Sequence, residues 1–170
     1  VGDLDGIYSM ADSFGLRVVE DAAHAFGSTT VGHRVGSFGD VACFSFDGIK
    51  NITSGEGGCV VSDSGEVVER VRRYRSLGLI TQREAIPAEG ITSEFDVREQ
   101  GWRYHMSNVM AAIGIQQFHR RDELADKRRG LARTYDQFLG ELEMVVPIPH
   151  DYQEVVPFMY AVRIEGDCDV

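Results

Sequence analysis

The sequence predicts an α/β fold in which helices alternate with short strands around a sheet. Three observations carry that expectation. Stretches with helical apolar spacing alternate with short apolar runs, glycine-rich turns separate them, and ionisable residues gather where the strands end. In open α/β sheets that edge is where ligands bind.

Taken in order, Asp3 to Phe14 has helical spacing, with Asp3 as N-cap and Gly15 as stop. Leu16 to Val19 reads as a buried strand leading into Glu20 and Asp21, and a short helical turn is expected from Ala22. The glycines between Gly27 and Asp40 predict turns and a small hairpin. Strand Val41 to Phe46, a glycine-rich loop from Asn51 to Gly58 and strand Cys59 to Ser62 come next. Glu66 to Leu77 is amphipathic and closes on Gly78. Leu79 to Gln100 is polar and aperiodic, the texture of a functional or mobile loop. Ser107 caps a helix from Asn108, and a longer helix spans Asp122 to Leu142 with Leu124, Leu131, Tyr135, Phe138 and Leu142 on one stripe. Met144 to Ile148 and Phe158 to Ile164 read as strands of a second unit.

Composition narrows the function. The 170 residues suit one domain or slightly more, and 43% hydrophobic content suffices for a core. A net charge of −10, without a basic face carrying aromatics, argues against nucleic acid. Apolar runs fall far short of a membrane span, and no secretory signal is expected, since the opening residues lack the charged, apolar and small-residue order of one. Cys43, Cys59 and Cys168 form no CxxC pair and read as reduced thiols of a cytoplasmic protein. His33, His119 and His150 lack ligand spacing, so no metal site is expected.

Lys50 stands between an apolar strand and a glycine loop. It is either a solvated strand-end lysine or a partly desolvated amine competent to attack an aldehyde. Asp21 is either an N-cap or a carboxylate that pairs with a cationic ring nitrogen. Ser45 is either a hydroxyl satisfied by backbone or a phosphate contact. Asn51-Ile52-Thr53 also fits a glycosylation pattern, which we set aside as a chance match.

Four blocks, EDAAHAFGS, VGSFGDVACFSFDGIKNITSGEGGCVV, RVRRYRSLGL and YHMSNVMAAIGIQQ, run in order through most of Leu4 to Leu142. Together they resemble the DegT-like (DegT/StrS) sugar aminotransferases, which are pyridoxal-phosphate enzymes of fold type I. The resemblance implies part of that fold's large domain, a mostly parallel sheet with helices, over residues 1–105. Residues 106–170 would be connecting helices and the start of a small α+β domain. It implies pyridoxal 5'-phosphate as cofactor, with Lys50 bonding its aldehyde and Asp21 pairing with its ring nitrogen. His24 would lie near the ring oxygen and Ser45 at the phosphate, while Asn51 and Glu56-Gly57-Gly58 match the loop after the lysine. Tyr104 to Ser107, including His105, resembles a segment that reaches the partner subunit's site, so a homodimer is expected.

The implied reaction moves an amino group from an amino acid such as glutamate to a nucleotide-linked keto-sugar, in amino-sugar biosynthesis for a cell-surface polysaccharide or natural product. The alternative is a non-catalytic relative serving as a regulatory or interaction module. Asp47 and His105 depart from the usual pattern. The chain reads as a fragment of a longer enzyme, in which the absent N-terminal part supplies the phosphate-binding helix and the aromatic group that stacks on the cofactor. The 79–100 loop is expected to bear on acceptor choice.

Overall fold

Asp3 opens the first element: its Oδ1 accepts from the Gly6 amide at 3.0 Å and caps α1 (Leu4–Ser13). A computed structural model of the chain describes residues 2–79, 97 and 99–166. After α1 come β1 (Val19–Asp21), the hairpin β2 (Thr29–Thr30) and β3 (His33–Arg34), β4 (Val41–Ser45), β5 (Gly58–Val61) and α2 (Gly65–Tyr74). Then follow α3 (Asn108–His119), α4 (Arg121–Leu139), β6 (Val145–Pro147) and β7 (Val162–Ile164). Among the described residues, four helices and three small sheets make the α/β class that the sequence predicts.

The principal sheet has the order β1-β4-β5, with β1 parallel to β4 and β4 antiparallel to β5. Its register sorts the side chains. Asp21 pairs with Cys43, and successive strand residues alternate faces, so Asp21, Cys43 and Ser45 share one face. Glu20, Ala42 and Phe44 share the other. There the Tyr8 hydroxyl of α1 donates to Glu20 Oε1 at 2.8 Å, and burial followed by that bond pushes the Tyr8 phenol above its ordinary value.

Several boundaries move for identifiable reasons. Leu16 to Val19 is not a buried strand: Leu16 and Val19 are about two-thirds exposed, and pairing starts at Val19 and runs on to Asp21. Asp40 draws off the preceding residues, accepting from Arg17 and from the Val18 amide. Residues 22–28 form turns rather than a helical turn, through Ala25 N to Ala22 O and Ser28 N to Ala25 O. The α2 helix stops at Tyr74, three residues early, because the Tyr74 carbonyl accepts from the Trp102 amide at 2.7 Å. Ser107 caps α3 as expected, accepting from Met110 N at 3.2 Å.

The apolar stripe expected on α4 is not its packed face. Leu131, Tyr135 and Phe138 are exposed, whereas Ala132 is 3% exposed. The small Ala132 and the extended Arg128 and Arg129 let that side approach residues 155–158 closely. Of the expected strand Phe158 to Ile164, only Val162–Ile164 pairs, with β6. Cys43 and Cys59 are free thiols, and their β4–β5 register places them on opposite faces of the sheet. Cys168 lies outside the described residues, as does most of the 79–100 loop. Among the described residues no helix is long and apolar enough to cross a membrane, and no metal-ligating cluster occurs.

At the α3–α4 junction, Glu123 takes 3.0 and 3.1 Å bonds from Arg120 and a 2.6 Å bond from Lys127. These hold its carboxyl at about 2, down from 4.5. A carboxyl depressed in the fold stabilises above its unfolded value and loses that contribution as pH falls through the folded value. In urea melts the stability gap between the parent chain and Glu123→Gln should therefore be widest above 4.5 and close towards about 2. A gap that is constant across this range would refute the pairing. Because the pair is solvent-exposed, the gap should also shrink with added salt.

Candidate active site

The loop that carries Lys50 is built from its own side chains. Asp47 Oδ1 accepts from Ile49 N at 3.1 Å, and Lys50 N donates to Asp47 O at 3.1 Å, which bends the chain sharply after β4. Asp47, an unusual residue for the resemblance, is thus the turn-former that presents Lys50. Ser54 N and Thr53 Oγ1 both donate to Phe46 O, closing the base of the loop. Gly57 and Gly58 follow from space. A Cβ on Gly57, whose φ is +141°, would sit 2.5 Å from Met106 Cε, and one on Gly58 would sit 2.5 Å from Phe44 O.

Asn51 is 7% exposed, and its Nδ2 donates to Phe26 O at 2.9 Å and to Val156 O at 3.2 Å. It therefore ties the lysine loop to the turn after β1 and to a late segment of the chain. That segment is also held by Val156 N donating to Ser28 Oγ at 2.9 Å and by Thr29 N donating to Glu154 O at 2.8 Å. Arg128 of α4 adds a second tie. Its Nη2 donates to Lys50 O at 2.8 Å and Ile49 O at 3.2 Å, while Nη1 donates to Phe158 O at 3.1 Å and reaches Pro157 O at 3.5 Å. Burial lowers the Arg128 pKa from its ordinary value.

These ties bring the Phe158 ring to both His24 and Lys50. It stacks on the His24 imidazole with centroids 3.9 Å apart and planes 11° from parallel. The Lys50 Nζ stands 4.4 Å from the same ring's centroid. Asp21, His24, His150, Val156, Phe158 and Met159 line a cavity of about 420 Å³, within the range of small-molecule sites. Lys50 itself does not line it, but reaches its wall through Phe158. Asp21 Oδ1 accepts from Ala23 N at 3.1 Å, the local turn contact that its N-cap alternative anticipates. Burial, with the Asp21 charge adding to it, pushes the Cys43 thiol up. A larger cavity of about 620 Å³ lies by Phe44 and Val61, and contains neither Asp21, His24 nor Lys50.

Two expected site residues lie apart. Ser45 shares the Asp21 face, but its hydroxyl accepts from Asp47 N at 3.3 Å and does not line the smaller cavity. His105 is exposed, next to the Met106 side chain that seats against Gly57. Arg128, Ser28 and Phe158 carried no legible signal. Arg128 sits in a run of basic helix residues that reads as a solvated face, and Phe158 in what reads as a strand.

The chain matches the DegT/DnrJ/EryC1/StrS aminotransferase family over residues 1–169. It belongs to that family. It is 35% identical over 147 residues to the protein MJ1066 of Methanocaldococcus jannaschii, covering 85% of this chain and 37% of that one. Among solved structures it superposes on Helicobacter pylori PseC, an aminotransferase of pseudoaminic acid biosynthesis, with a TM-score of 0.85 and 25% identity. That match covers 97% of this chain and 43% of PseC. DesI, determined in the presence of its TDP-sugar product, matches at a TM-score of 0.78 and 29% identity, over 97% of this chain and 39% of DesI. The chain thus spans less than half the length of these relatives.

Asn51→Ala removes the amide donor to the buried Val156 carbonyl and the part-buried Phe26 carbonyl and should destabilise the chain by about 1–4 kcal/mol in urea denaturation. A loss below about 0.5 kcal/mol would show that the two carbonyls find other partners.

Proposed function

We propose that the protein containing this chain is a sugar aminotransferase that uses pyridoxal 5'-phosphate and acts on a nucleotide-linked keto-sugar. The single observation that carries the reading is the meeting of Lys50 and His24 on one aromatic ring, at the wall of a cavity that Asp21 also lines. Family membership and the sugar chemistry named for PseC and DesI support the substrate class.

The residues present suit the group. A carboxylate and a flat imidazole line one cavity of small-molecule size, and an amine at a loop tip meets its wall at the Phe158 ring. The bound cofactor supplies an electron sink for the carbon that carries the transferred nitrogen. Lys50 would hold it through the aldehyde carbon and, once freed, take a proton at Nζ from the amino-acid carbon that bears the transferred nitrogen and deliver it to the former aldehyde carbon. Asp21 would keep a proton on the ring nitrogen by its charge. His24 would lie against the ring near its oxygen, Ser45 would turn its hydroxyl to the phosphate, and Asn51 would hold the lysine loop.

In the net reaction an amino acid such as glutamate gives up its amino group and becomes a keto acid, while the sugar ketone becomes an amine. We further propose a homodimer in which the Tyr104–Ser107 segment, with the exposed His105, reaches the neighbouring site, and a division into units near residue 105. A cytoplasmic location fits such substrates. The acceptor-choosing role of the 79–100 loop belongs to the same proposal.

Incubating the longer protein with the cofactor should give a visible absorption band that Lys50→Ala abolishes. Glutamate should bleach the band, and a nucleotide keto-sugar should restore it. Asp21→Asn should keep the band and slow turnover at least about a hundredfold. No band in the parent protein would favour the non-catalytic module; a band that glutamate bleaches, but that no nucleotide keto-sugar restores, would remove the sugar acceptor.

A further inference from the structure

The Lys50 side chain is long and flexible, and nothing in its own loop fixes where its amine points. Its loop bonds are made by backbone and by the side chains of Asp47, Thr53 and Ser54. The amine is instead found 4.4 Å from the Phe158 ring centroid. An aromatic face attracts an ammonium at this distance, because the ring quadrupole is negative above its plane.

The ring is itself immobilised. His24 stacks on it, and the carbonyls of Pro157 and Phe158 are both held by Arg128. The neighbouring Val156 is 2% exposed and bonded through both N and O, to Ser28 and Asn51. Arg128 also holds the carbonyls of Ile49 and Lys50, so one planar cation spaces the lysine backbone against the phenylalanine backbone. Among the described residues no carboxylate lies within 4.0 Å of its charge. Its donors go to four carbonyls, a geometry that lysine could not reproduce from the same position.

From this we infer that Phe158 is a positioning residue for Lys50, and that Arg128 sets the spacing between them. The inference rests on Lys50 being the cofactor lysine. Phe158 draws the amine from solvent to the wall of the Asp21–His24 cavity before any ligand arrives. A leucine would fill similar space without offering a π face.

The chain has only two lysines, Lys50 and Lys127, which makes the test direct. Lys127 is exposed and pairs with Glu123, so it serves as an internal reference. Reductive methylation with 13C-formaldehyde keeps the charge and labels both. In the 170-residue chain the Lys50 methyl signal should lie upfield of the Lys127 signal through the ring current. It should also show a nuclear Overhauser contact to the Phe158 ring. Phe158→Tyr should keep the displacement, whereas Phe158→Leu and Arg128→Gln should lose it with unchanged far-UV circular dichroism. Coincident Lys50 and Lys127 signals in the parent chain would overturn the inference without any substitution, as would a displacement that survives Phe158→Leu.

In the longer protein, Phe158→Leu should slow cofactor capture about two- to thirtyfold, and Phe158→Tyr should restore it. An upfield Lys50 signal without any visible band on adding cofactor would count against the aminotransferase reading alone. A band without the upfield signal would count against Phe158 alone.

Discussion

One guanidinium holds the site together. Arg128 reaches from α4 to the carbonyls on either side of the putting-together of lysine loop and late segment, those of Ile49 and Lys50 and those of Pro157 and Phe158. Three part-buried acceptors and one exposed one, drawn from distant parts of the chain, share this single side chain as donor. Both terminal nitrogens of the half-buried guanidinium are used, and burial lowers its pKa from the ordinary value. Asn51 repeats the device on a smaller scale, with one amide nitrogen for two carbonyls.

The second constraint is register. Because β1 runs parallel to β4 with Asp21 beside Cys43, one face of the sheet collects Asp21, Cys43 and Ser45, and the other collects Glu20, Ala42 and Phe44. The first face carries the groups expected to meet a cofactor. The second carries the Tyr8–Glu20 bond and the larger apolar cavity. A slip of one residue would exchange the two sets, so the aspartate reaches its cavity only while the ladder holds.

Much of this was readable beforehand. Asp3 and Ser107 act as the N-caps their types and positions announce, since a short side-chain acceptor before an apolar helical stretch has few better uses. The strand before Lys50 and the glycine pair after it were legible for a similar reason: each reflects a local backbone demand. The start of β1 was less so. Leu16 and Val19 look like core residues, yet a carboxylate from Asp40 captures the neighbouring backbone and leaves both exposed. The packed face of α4 is not legible either, because close approach favours Ala132 over the larger apolar stripe.

The sequence by itself determined the α/β class, the family, the caps, and the lysine between strand and glycine loop. These rest on interactions among residues a few positions apart, or on a pattern of types kept in order. Only the tertiary structure decided that Phe158 stands between His24 and Lys50, and that Arg128 of a basic helix face holds it there. Those contacts join residues up to 134 positions apart, as His24 and Phe158 are. No local propensity encodes such a meeting; it follows from how the chain returns across its own sheet.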